Sequence, residues 1–133
     1  MAEVRTIERR LALRAETRKT PISVARASAR QAIDPAVAAV FDVEIADLRA
    51  PTRSSPQAAF ARQVAMYLAH VVCGLSLTAV GALFQRDRTT VAHACGVVED
   101  RRDDPDLDAR IEHLERAVAS LIDALGWWRG PRQ

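Results

Sequence analysis

The chain has 133 residues, 49% of them hydrophobic and 27% charged, with 19 Lys and Arg against 17 Asp and Glu and a formal net charge of +2. That balance excludes a disordered chain and describes one modest domain with a real core. The length excludes a complete nucleotide-driven machine, and no Gly-x-x-x-x-Gly-Lys-Ser/Thr phosphate loop occurs.

The first twenty residues are rich in arginine (Arg5, Arg9, Arg10, Arg14, Arg18, with Lys19) and poor in large apolar groups. They read as a flexible basic arm, either a solubilising tail or a tether to nucleic-acid phosphates. Ile33-Asp34-Pro35 then places an N-cap before a proline, which predicts a short helix from Ala36 to Phe41. A brief turn over Glu44 to Leu48 follows, and Arg49 to Ser55, with Pro51, Thr52, Ser54 and Ser55, reads as a loop. Pro56 opens a helix to about Cys73, with Phe60, Val64, Leu68, Val71 and Val72 on one face. Ser76 caps a shorter helix through Phe84 whose apolar stripe is Leu77, Val80 and Phe84.

The run from Val64 to Phe84 holds 21 residues without Asp, Glu, Lys or Arg, the length of a membrane span. His70, Gly74, Ser76, Thr78 and Gly81 interrupt it, and Gly74-Leu75-Ser76 is a stop followed by a cap. Two short buried helices are therefore expected, and no membrane association.

After Gln85-Arg86-Asp87, a helix is predicted over Arg88 to Asp100. At about 100° per residue, Val91, Cys95 and Val98 cluster on one side, while Thr89, His93 and Gly96 point the other way. Thr90, Ala92 and Val97 flank them. A merely solvated face would carry Glu and Lys; this one is short, polar and uncharged beyond its N-terminal arginines, which suits a groove lined by base edges.

A last helix over Leu107 to Leu125 places Leu107, Ile111, Leu114, Val118, Leu121 and Leu125 in an alternating seam. The favoured reading docks that seam on the domain's own core, and the other is a homodimer. Leu114, Leu121, Trp127 and Trp128 are the candidate partner-facing residues, since two terminal tryptophans are costly to expose.

Charge is uneven along the chain. Residues 1–98 hold 13 basic and 8 acidic side chains, net +5, and residues 99–133 hold 6 and 9, net −3. A basic body facing a polyanion fits this division. Cys73 and Cys95 have no neighbouring cysteine, so the expectation is reduced core thiols in a cytoplasmic protein, with neither zinc nor any other cofactor. His70, His93 and His113 fall on separate elements, and no catalytic constellation has supporting spacing, so an enzyme is not expected.

The helix capped by Ser76 and the helix opening with Arg88-Thr89-Thr90, joined by a short polar turn, form a helix-turn-helix. The ordered series Arg62-Gln63-Val64-Ala65-Met66-Tyr67-Leu68-Ala69, Ser76-Leu77, Val80-Gly81, Phe84, Arg86-Asp87, Thr89-Thr90-Val91 and His93-Ala94 resembles the C-terminal DNA-binding domain of the bacterial replication initiator DnaA. Ile45-Ala46-Asp47-Leu48 resembles a turn of the same family, and the likeness covers about residues 33–125. It implies an all-α, compact bundle of about five to six helices over residues 21–126, after the arm at 1–20 and before a tail at 127–133. It also implies binding to double-stranded DNA, with the second helix of the motif in the major groove and the 49–63 loop, which before Arg62 holds only Arg49 and Arg53, touching the minor groove or the backbone.

Carried over, Arg62 and Gln63 match a backbone-contacting pair, and Asp87, Thr89, Thr90, His93 and Ala94 match the base- and phosphate-contacting set. Arg86 and Arg88 sit where phosphates would pass the helix N-terminus. Asp can accept from cytosine N4, and Thr offers a hydroxyl and a methyl. A cap alone would also explain Asp87.

The chain departs from the family in several places. Arg88 stands where the family has His, a guanidinium able to read guanine O6 and N7 or to hold a phosphate. Gln85 replaces a glycine pair and shortens the turn by a residue, Ala61 replaces a proline, and Gly96 and Val97 stand where basic residues are common. A shifted sequence preference and weaker binding by the domain alone are expected, offset by the basic arm. The likeness to stand-alone domains in gene-transfer-agent and phage-type activators implies a transcription regulator, an activator, working with RNA polymerase or a sigma-like protein. The alternatives are a replication regulator competing for initiator sites, and a helical adaptor.

Overall fold

The structure is a computed structural model that describes residues 22–50 and 55–129, with side chains over 29–50 and 55–124. The arm at 1–20 and Arg53 lie outside the described residues. The described residues form helices and no strands: α1 (Ile22–Phe41), α2 (Ile45–Arg49), α3 (Pro56–Val71), α4 (Leu77–Phe84), α5 (Arg88–Arg101) and α6 (Pro105–Arg129). The all-α bundle expected from the sequence is the architecture found.

Local chemistry starts the central helices where the sequence places them. The Ser55 hydroxyl accepts the Ala58 N–H at 3.0 Å, and Pro56 fills the first position of α3, where a missing N–H costs nothing. Ser76 does the same for α4 through the Ala79 N–H, also at 3.0 Å. Gly74, at φ +73°, makes the sharp exit between them and divides the uncharged run. No helix among the described residues is long and apolar enough to cross a membrane.

α3 is the axle of the fold. Phe60, Val64, Leu68 and Val71 are buried on one side, and Ala61, Ala65 and Ala69 are buried with them. Apolar burial this wide around a helix marks an element packed on several sides. α1, α4, α5 and α6 all lie against it, and α1 also runs along α6. Fully buried Leu68 and Val64 each contribute about 1.5–3 kcal/mol over an exposed state.

α1 is longer than predicted. It does not start after Asp34; it begins at Ile22 and runs through Pro35. Asp34 is wholly buried, and its carboxylate accepts from Arg30 Nε at 3.0 Å and from Arg49 Nε at 2.9 Å. Those two charge-assisted bonds bind the carboxylate more strongly than a cap would. Pro35 leaves only the carbonyl one turn earlier, that of Gln31, without its usual donor, and Gln31 is exposed to water.

The seam on α6 faces inward. Ile111, Leu114, Val118, Ala119 and Ile122 are buried, so Leu114, at 1% exposure, is a core residue and not a partner surface. At the C-terminal end the buried stripe passes to Ile122, leaving Leu121 45% exposed. This is the drift of a helix with about 3.6 residues per turn against a heptad spacing. The helix also continues through Trp127 and Trp128 to Arg129, where a tail was expected; their side chains lie outside those described.

A buried charged cluster joins α5 to α6. Arg102, the C-cap of α5, reaches Asp108 through Nε at 2.6 Å and Glu115 through Nη1 at 2.9 Å. Nη1 also donates to the Tyr67 hydroxyl at 3.0 Å, and that hydroxyl donates to Glu99 Oε1 at 3.3 Å. Burial alone would favour a neutral Arg102, but the hydrogen bond and charge of Glu115 outweigh it and raise its pKa. The far end of α5 is thereby clamped to α3 and α6.

Candidate nucleic-acid interface

The turn between α4 and α5 is built by close backbone approach. A Cβ on Gly81 would stand 2.5 Å from the Arg86 carbonyl oxygen, so only glycine fits there. The Arg86 N–H closes the turn on the Gly81 carbonyl at 2.8 Å. Gln85 takes the left-handed conformation at φ +58°, ψ +50°, which the residue ending a helix commonly needs and which glycine adopts without strain. Gln85, a residue with a side chain, therefore occupies a position that favours glycine.

Asp87 is the N-cap of α5 by backbone geometry, but its carboxylate makes no capping hydrogen bond and is exposed. The capping explanation of Asp87 therefore fails, and the carboxylate remains directed to solvent. Behind it, α5 divides into two faces. Val91, Ala94 and Val98 are buried, with Cys95 half-buried, so the inner stripe is centred on Ala94 where Cys95 was expected. Ala94 is 1% exposed and is withdrawn from the contact set: its small size serves helix packing. Thr89, His93 and Gly96 are exposed, as the helical projection predicted, and so are Arg88, Thr90 and Ala92. Nothing lies within 4 Å of a Cβ on Gly96, so the fold itself does not demand glycine there.

Beside this face lies a cleft of about 690 Å³, bordered by Arg30, Arg49, Arg62, Gln63, Arg86 and Thr90. The structure thus brings Arg62, Gln63, Arg86 and Thr90 together from three elements. Arg62 Nη1 donates to the Asp47 carbonyl at 2.7 Å, which aims the guanidinium across the cleft. Burial first, then repulsion from Arg86, lower the Arg62 pKa, and Asp47 opposes both. Two guanidiniums that repel each other across a concave surface attract an anion. Arg86 is folded back, its Nη1 donating to the Gln85 carbonyl at 3.1 Å.

Arg30 was not among the expected contact residues, and Arg49 entered only as part of the loop expected at the minor groove or backbone. Arg30 stacks 4.2 Å over the Phe84 ring, and both pair with Asp34. The signal for Arg30 was present in its four-residue spacing from Asp34, a helical ion-pair distance. Arg49 reaches Asp34 from α2, across a sequence separation no periodicity reports.

The helix-turn-helix has a counterpart among known proteins. The model of the bacterial dnaA protein helix-turn-helix family matches residues 30–98. The chain belongs to that family. Chromosomal replication initiator protein DnaA 1 of Protochlamydia amoebophila is 41% identical over 85 residues, covering 63% of this chain and 19% of that protein. DnaA 2 of Chlamydia trachomatis is 45% identical over 65 residues, or 49% of this chain and 14% of that one. DnaA of Lactococcus lactis is 38% identical over 82 residues, 60% of this chain and 18% of the relative.

A crystal structure of a DNA replication initiation factor superposes with a TM-score of 0.66 at 30% identity, covering 90% of this chain and 38% of that one. The matched segment is under a fifth of the length of each of these DnaA relatives. The chain is accordingly a DnaA-type, DNA-binding helix-turn-helix domain, with α4 and α5 as the two helices of the motif.

Proposed function

We propose that this DnaA-type domain binds duplex DNA at defined sequences, with α5 in the major groove and the cleft arginines on one backbone, and that it regulates transcription as an activator. The observation that carries the binding reading is the exposed, uncharged stripe of Thr89, His93 and Gly96 on a helix whose Thr90 borders the Arg62–Arg86 cleft. Base edges need short polar and apolar groups, and phosphates need guanidiniums. The role is binding and not catalysis. Exposed Leu121, near the end of α6 on the outer side of the bundle, offers a contact for RNA polymerase, a sigma-like protein or a second copy.

A second reading is a replication regulator that occupies initiator sites. The relatives favour it, being named chromosomal replication initiators. Mapping bound sites across the genome separates the two. Peaks at promoters, with transcription falling when the protein is removed, support the activator; peaks at origin sites alone overturn it. Binding without any shared sequence overturns both.

A further inference from the structure

We infer that Arg88 reads a guanine on its major-groove edge and so sets part of the sequence preference, an inference that rests on the duplex-binding reading above. The residues that open a recognition helix are those that meet base edges. Arg88 is the first residue of α5, and it is exposed. From there to Gly96 it is the only arginine or lysine on the helix. The next, Arg101, stands at the other end and lies 4.0 Å over the Phe60 ring.

The neighbouring arginines are engaged within the fold. Arg30 lies on Phe84, Arg62 is bonded to the Asp47 carbonyl, and Arg86 to the Gln85 carbonyl. Arg88 makes no hydrogen bond or ion pair among the described residues. It also sits away from the cleft: at about 100° per residue, Arg88 and Thr90 lie nearly on opposite flanks, and Thr90 is the one bordering the arginines.

Side chains on a helix lean toward its N-terminus, so the Arg88 guanidinium projects ahead of the first turn, into the groove that α5 enters. Its two parallel N–H donors match guanine O6 and N7. The adjacent Asp87 carboxylate, free of any capping bond, supplies the acceptor that the partner cytosine N4 requires. Side by side, the two side chains present the complement of a G·C pair.

The test is selection from a pool of randomised duplexes by the 133-residue chain and by its R88A and R88K variants. The Arg88 side chain makes no hydrogen bond or ion pair among the described residues, so both variants are expected to keep the parent's melting profile. The expected result is a shared site in which one guanine is favoured by the parent and that preference falls about 10-fold or more in R88A and by less in R88K, with other positions unchanged. Lysine keeps the charge but lacks the planar fork. If R88A retains the guanine preference, or weakens every duplex alike, Arg88 does not read that guanine and the inference is overturned. If the parent itself enriches no shared site, the failure lies with the duplex-reading proposal.

Discussion

Gly81 and Arg86 are held so close that a Cβ on the glycine would stand 2.5 Å from the arginine's carbonyl oxygen. The obstacle is backbone, which cannot rotate away as a side chain would. The Arg86 N–H bond to the Gly81 carbonyl closes the same turn between the two helices of the motif.

Gly81→Ala is therefore expected to destabilise the domain by about 1–3 kcal/mol, through a forced shift of the turn. Thermal unfolding measures the loss. An alanine variant with the parent's melting temperature would show that the turn can relax.

The Arg102–Glu115 pair has a different signature. Removing one partner, as in Arg102→Ala, leaves the other charge buried and costs about 3–5 kcal/mol, whereas replacing the pair with apolar residues of similar volume, Arg102→Met with Glu115→Leu, costs far less. Asp108 and the Tyr67 hydroxyl also lose a partner in the double variant, so some of the loss remains. Denaturant titration of the single and double variants checks the order.

Groove and cleft residues separate by what they read. Thr89→Ala and His93→Ala each lower affinity for the preferred site by about 1–3 kcal/mol and leave random duplex nearly untouched. Arg62→Ala and Arg86→Ala weaken all duplexes alike and each reduce the salt slope by about one. Salt-dependent binding to preferred and random duplexes distinguishes them, and equal behaviour of the two pairs would remove the division between α5 and the cleft.

The cysteines predict an alkaline limit to stability. Burial pushes the Cys73 thiol from an ordinary 9.0 up to about 12, and burial followed by Glu99 pushes Cys95 to about 11. Unfolded thiols ionise first, so this contribution is intact below pH 9 and declines as pH rises from there through the folded values. Cys73→Ala and Cys95→Ala should flatten the decline above pH 9, measured against each variant's own stability at neutral pH. At neutral pH, thiol reagents should label Cys73 more slowly than half-buried Cys95.

The amino-acid order by itself determined the elements whose causes are local. Ser76 caps, Pro56 starts, Gly74 breaks, and the spacing of Phe60, Val64 and Leu68 orients α3, all within a turn or two of chain. The outward stripe of α5 was legible for the same reason. Only the tertiary structure decided matters that depend on distant partners. Asp34 reads as a cap until Arg49 arrives from another helix, and then α1 runs through it. Ala94 matches a contact position until α5 packs on α3 and α4, and its lack of bulk becomes a packing requirement. Leu114 and Leu121 belong to one heptad seam in the sequence, yet the bundle buries the first and exposes the second, because a straight helix turns slightly with every repeat.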